Sequence, residues 1–167
     1  QKDGKKILGF AAYKVAITHA MLTENNPKSM LVNQPRQYPV TILQAPPMKV
    51  FGIKYYLGDI AVGQIFSSNL HKELGRTIRP LPKEKEKKQK EIPKFDKVAI
   101  IISMQPHLAG FGKKKPEVME IALAGNPEEQ KATAESLLGK DIRASDVLTP
   151  GDYLDVFAVS KGKGFMG

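Results

Sequence analysis

The chain contains no cysteine and no tryptophan. The missing thiols exclude disulfides, thiol catalysis and thiolate metal sites together, and they fit a reducing compartment. Aromatic residues are only 7% of the 167, so stacking platforms for single-stranded bases are few. No apolar run approaches the ~18 residues that suggest a membrane span. Nothing reads as a charged, apolar, then small-residue leader, so no signal peptide is expected. The chain opens on Gln1 rather than Met, which points to a fragment or a processed segment.

What is present is positive charge. Lys and Arg number 26 against 17 Asp and Glu, a formal net charge of +9. An excess of that size favours a polyanionic partner, nucleic acid before anionic membrane. Hydrophobic residues at 41% are ordinary for a globular chain with one core, or one core and a smaller inserted lobe.

The pattern along the chain is mixed and mainly β. "ILGFAAYKVAITHAML" (7–22) reads as a strand, and "TENNPKSMLVNQPRQ" (23–37) as a long polar surface loop. Pro46 and Pro47 cannot donate to a ladder, so they separate a strand at 39–45 from one at 48–57. "SSNLHKELGRTI" (67–78) predicts a short helix capped by Ser67 or Ser68, with Leu70 and Leu74 on one face. A Lys/Glu-rich loop at 79–97 follows, in which Glu84–Lys88 and Glu86–Lys90 have favourable i,i+4 order. It reads as a solvated insert ahead of RNA-binding arm. "KVAIIISMQ" (97–105) is the strongest strand, apolar enough for burial on both faces. "MEIALAG" (119–125) is a further strand or an early helix. "NPEEQKATAESLLGK" (126–140) predicts a helix with Asn126 as cap, Pro127 in the first turn, Glu129 closing a capping box and Gly139 as the stop. In 143–160, Pro150-Gly151 fits a type II turn, and Leu154, Val156 and Ala158 alternate as a strand facing a core. The layout is therefore a β portion at 1–59 and 146–167, interrupted by an α/β lobe at 60–145.

Candidate chemistry is narrow. His19, His71 and His107 lack the spacing of a metal motif, and His71 reads as a solvent-facing helix residue. No metal and no cofactor are expected. Asp152 and Asp155 read as surface acids on the outer side of a strand, and nothing specific favours an enzyme. "GFGKKKPE" (110–117) places Lys113, Lys114 and Lys115 on a glycine-flanked loop, where they can reach phosphates or simply be solvated. "SKGKGFMG" (160–167) alternates Lys161 and Lys163 with glycines, leaving backbone N–H groups unshielded for phosphate oxygens; a frayed tail is the alternative. A module that binds an acidic protein or anionic ligand through these lysines is the competing reading.

Four ordered segments carry a resemblance: "ILGFAAYKVAITHAML", "PVTILQAPPMKVFGIKYY", "KKKPEVMEIALAG" and "LLGKDIRASDVLTPGDYLDVFAVSKGKGFMG". Across nearly all 167 residues the chain resembles the universal large-subunit ribosomal protein L-three family, in its archaeal and eukaryotic form. The resemblance implies a translation-protein-type β-barrel with an inserted α/β lobe. It implies a structural constituent that binds large-subunit rRNA beside neighbouring ribosomal proteins, supports assembly in the cytoplasm, and has neither catalytic role nor membrane partner. The RNA-facing residues it implies are Lys161, Gly162, Lys163, Gly164 and Phe165, then Lys113 to Lys115, then Tyr13, Lys14, Thr18 and His19. Family members usually read Gly-Met where this chain has Ala16-Ile17, and Gln where it has Met166.

Overall fold

The computed structural model describes residues 6–78 and 94–165. The Lys/Glu-rich stretch with its Glu84–Lys88 and Glu86–Lys90 pairs, together with Met166 and Gly167, lies outside the described residues.

Strands β1 (Tyr13–Thr23) and β2 (Pro35–Gln44) form an antiparallel hairpin, a two-stranded sheet of its own. The polar loop expected at 23–37 is thus shortened at both ends by strand. Its connection is organised by backbone bonds: Glu24 N–H donates to Gln34 O at 3.2 Å and Asn33 N–H to Glu24 O at 2.9 Å. Asn33 takes a positive φ of 62°, which its short amide side chain tolerates. The Tyr38 hydroxyl donates to Glu24 at 2.7 Å, and the Arg36 guanidinium lies 5.5 Å from the Tyr38 ring centre.

The second sheet holds the core. Strand β3 (Met48–Leu57) begins directly after the proline pair and turns back through Gly58-Asp59 into β4 (Ile60–Phe66). Gly58 has φ 61°, the conformation a two-residue hairpin needs at its first position. On its other side β3 pairs with β5 (Lys97–Met104), which pairs with β6 (Val118–Ala122), in the order β4-β3-β5-β6. Residue 6–8 backbone adds to the β6 edge: Ile7 bridges Leu123, and Leu8 N–H donates to Ala122 O at 3.1 Å. The strand expected from Ile7 is therefore two pieces, one on this sheet and one in the hairpin.

Helix α1 (Pro127–Leu137) covers one face of the sheet. There Val50, Ile53, Tyr55, Ile100 and Ile102 pack with Ala134, Ile142 and Val147. Strand β7 (Asp141–Ile142) returns from α1 to pair with Met48 and Lys49, and α2 (Ala144–Val147) follows. The α1 start matches its sequence signature: Asn126 N–H donates to Glu129 Oε2 at 3.2 Å, and Gly139 ends the run at φ 79°. Gln130 ties the helix to the sheet, accepting from Val98 N–H at 2.9 Å and donating to Leu123 O and Gly125 O. A bulge between Val50 and Gly52 sends Phe51 to the opposite face, where it packs with Leu74 and Ile101.

That second cluster lies under a 3₁₀ turn at Lys72–Arg76. The turn replaces the longer helix expected at 67–78, and His71, not Ser67 or Ser68, caps it. Leu74, buried in the turn, and Leu70 just before it both pack on this cluster, so a tight single turn suffices.

The strand expected within 143–160 is not formed. Pro150-Gly151 makes the turn, with Asp152 N–H donating to Thr149 O at 3.1 Å and Gly151 at φ 89°. Beyond it no described strand pairs with the chain, and Leu154, Val156 and Ala158 face solvent instead of a core. Asp152 closes the turn by accepting from Thr149 N–H at 3.0 Å, so it is not an outer-face strand residue. The described residues build two sheets, mainly β with few helices; a closed barrel is not among them.

Candidate nucleic-acid interface

The hairpin register decides which early residues share a surface. Residues paired directly across an antiparallel ladder lie on one face, and the face alternates along each strand. Tyr13 pairs with Gln44 and Thr18 with Val40, on the face that also carries Ala16 and Ile42. Lys14 pairs with Leu43 and His19 with Pro39, on the other face. The bulge between Lys14 and Ala16 shifts the register but leaves the division intact. Tyr13, Lys14, Thr18 and His19 are therefore divided between the two faces of the hairpin. Tyr13 and Thr18 look one way, Lys14 and His19 the other.

Tyr13 is instead joined to the lysine loop. Its ring meets Phe111 edge-on with centroids 4.8 Å apart, and Lys113 Nζ lies 5.7 Å from its centre. Lys113 also forms an ion pair with Glu117. Burial raises the Tyr13 phenol above its usual range, and the nearby Glu117 carboxylate raises it further. Burial works against the charged Glu117, but the Lys113 ammonium and Tyr13 hydroxyl outweigh it and hold the carboxyl below its ordinary value. The Tyr13 hydroxyl and Glu117 Oε2 are both buried without a completed hydrogen bond.

All three neighbouring lysines are exposed, but Lys113 is tied back to Glu117, while Lys114 and Lys115 form no ion pair among the described residues. Lys54, another basic residue of the sheet, is neutralised by Glu120 at 2.6 Å. Lys14, Lys161 and Lys163 form no ion pair among the described residues. Residues 161–165 are exposed throughout, with Phe165 fully so and Gly164 at φ 72°. That run has no regular backbone pairing, and its N–H groups stay open to a ligand.

Among the described residues, no group of three or more acidic or histidine side chains is arranged to hold a metal ion. No helix among them is long and apolar enough to cross a membrane. The arrangement offers exposed ammonium groups, without ion-pair partners among the described residues, on glycine-flanked backbone, which is suited to phosphate contact.

The model of the family described as ribosomal protein L3 matches residues 1–167. The chain belongs to the ribosomal protein L3 family. Among similar proteins are the large ribosomal subunit proteins uL3 of Pyrobaculum aerophilum, 40% identical over 96% of this chain, and of Methanobrevibacter smithii, 38% identical over all of it. That of Methanocaldococcus jannaschii is 35% identical over 100% of the chain. The matches cover 52%, 53% and 53% of those proteins respectively, so the chain spans about half the length of the uL3 relatives it matches.

Within this L3-family chain, the structure brings Tyr13 and Lys113 together. Sequence reasoning missed the tie of Lys113 to Glu117 and the Tyr13 ring, although Glu117 four residues on was the available signal for the ion pair. It also missed the pairing of His71 with His107. Their rings stack with centroids 5.0 Å apart and planes 21° from parallel. His71 Nδ1 accepts from Glu73 N–H at 3.2 Å, so this histidine is a cap and not a solvent-facing helix residue.

Proposed function

We propose that this chain is part of a structural constituent of the large ribosomal subunit that binds large-subunit rRNA and supports subunit assembly, and that it is not an enzyme. In this reading it works in the cytoplasm, on the ribosome, beside neighbouring ribosomal proteins and without cofactor or membrane. Residues 1–59 and 146–167 contribute to a translation-protein-type barrel in the whole protein, with 60–145 as the inserted α/β lobe. The observation that carries the reading is the combination of L3-family membership over the whole chain with unpaired, exposed lysines in both expected loops.

The contacts are phosphate-directed. Lys161 and Lys163, with the backbone of Gly162 and Gly164, grip one stretch of RNA backbone while Phe165 offers a ring to a base. Lys114 and Lys115 reach a second stretch, and Lys113 holds their loop in place. Binding of this kind releases counterions and falls steeply with salt. The pair substitution K161A/K163A lowers the slope of log affinity against log salt by up to about 2 if each lysine engages one phosphate. An unchanged slope and affinity removes residues 161–165 from the interface.

A further inference from the structure

The stacked histidines lie outside every lysine loop and have no role in the account above. His107 sits in a 3₁₀ turn (Pro106–Leu108) immediately after β5 and is exposed, with Leu108 and the glycine-bearing loop beyond it also exposed. One face of its ring rests on His71. His71 is half-buried, and its orientation is fixed because its Nδ1 is committed to the Glu73 N–H. An exposed ring is therefore backed by a second, anchored ring. This is a preformed stack with one end open.

We propose that His107, backed by His71, is a stacking platform for an unpaired base of the bound RNA. The inference rests on the rRNA-binding reading and adds a base contact to an interface otherwise made of phosphate contacts. Unstacked bases are commonly taken up on histidine as well as on larger aromatic rings, which matters in a chain without tryptophan. The charged surroundings suit it. His71 is held below its usual range by burial first and by His107 and Lys49 next, with Glu73 and Asp141 opposing. Its neutral form is favoured, which keeps a cation from behind the His107 ring. Lys49, half-exposed on β3, supplies a cation for the phosphate of the same nucleotide. Of the two opposing acids, Glu73 is paired with Arg76 and Asp141 is engaged by Gln105 Nε2 at 3.1 Å.

The test measures affinity for purified archaeal large-subunit rRNA at one fixed salt and as a salt titration. It compares the chain with H107A, H107F and K114A/K115A. His107 is exposed, so its variants keep the fold, which a thermal melt verifies. The platform predicts that H107A weakens binding by about fivefold to a hundredfold, the worth of one base stack, without changing the salt slope. H107F keeps most of the affinity because a flat ring is what is needed. If H107A binds like the parent while K114A/K115A loses salt slope, the platform is wrong and the rRNA reading stands. If H107F fails as badly as H107A, the contact is a hydrogen bond or a charge and the platform is overturned. Should the parent chain itself show no salt-dependent binding, both the rRNA reading and the platform fall.

Discussion

Lys113 Nζ lies 5.7 Å from the centre of the Tyr13 ring, and the same ammonium pairs with Glu117. This contact fastens the lysine loop to the first residue of the hairpin. It also distinguishes the three consecutive lysines by surroundings, since Lys113 has an ion-pair partner and a ring beside it and the other two have no ion pair among the described residues.

The first prediction follows from that division. K114A removes about one unit of salt slope from rRNA binding and leaves the melting temperature unchanged. K113A leaves the slope unchanged but loosens the loop, so limited proteolysis cuts 108–116 faster. The reverse pattern in the two variants shows that Lys113 is the contact and Lys114 the support.

The clasp is also pH-dependent. The folded Glu117 carboxyl titrates below the ordinary value of 4.5, so its contribution to stability is fully present above that value. It is lost as pH falls through the lower, folded value. E117Q abolishes this part of the acid dependence while lowering stability at neutral pH. Thermal melts of parent and variant from pH 7 to pH 3 converge if this is correct. Parallel curves over that range contradict it.

Gln130 is the side chain on which α1 is docked. It accepts from the N–H of Val98, a residue only 2% exposed, and donates to two carbonyls before the helix. Q130A leaves that buried N–H without a partner and costs about 1–3 kcal/mol. Chemical denaturation measures it, and a loss under about 0.5 kcal/mol shows that water replaces the amide.

Gly52 is required by close approach. A Cβ there sits 3.0 Å from Phe66 Cδ1, 3.2 Å from Ile101 Cδ1 and 3.3 Å from the Ile65 carbonyl oxygen. The rings and side chains are packed and the carbonyl belongs to a ladder, so none yields freely. G52A costs about 1–3 kcal/mol of stability, read from denaturation midpoints. A neutral effect means that Phe66 swings away without loss.

Much of the second sheet was legible in the sequence because its signals are local. Pro46-Pro47 ended one strand and began another, the apolar run at 97–105 became a central strand, and Asn126-Pro127 with Glu129 opened α1. Strand β4 escaped because Gly58-Asp59 is a two-residue turn easily read as the start of an insert. The alternation of Leu154, Val156 and Ala158 was real, but a strand needs a partner, and none of the described strands provides one. The candidate interface was legible in its charges and not in its geometry. Glu117 four residues on signals a paired Lys113, but nothing local says that Lys113 lies beside the Tyr13 ring a hundred positions earlier, or that His71 finds His107. Such contacts arise from the packing of distant elements, which a charge run cannot report.

The most direct test of the account is the affinity of this chain for large-subunit rRNA as a function of salt. With Lys114, Lys115, Lys161 and Lys163 each meeting one phosphate, raising salt from about 50 to about 200 mM weakens binding on the order of a hundredfold. The four-lysine alanine variant loses most of that dependence. Affinity that is flat with salt, or an acidic peptide that binds more tightly than rRNA at matched salt, contradicts the account.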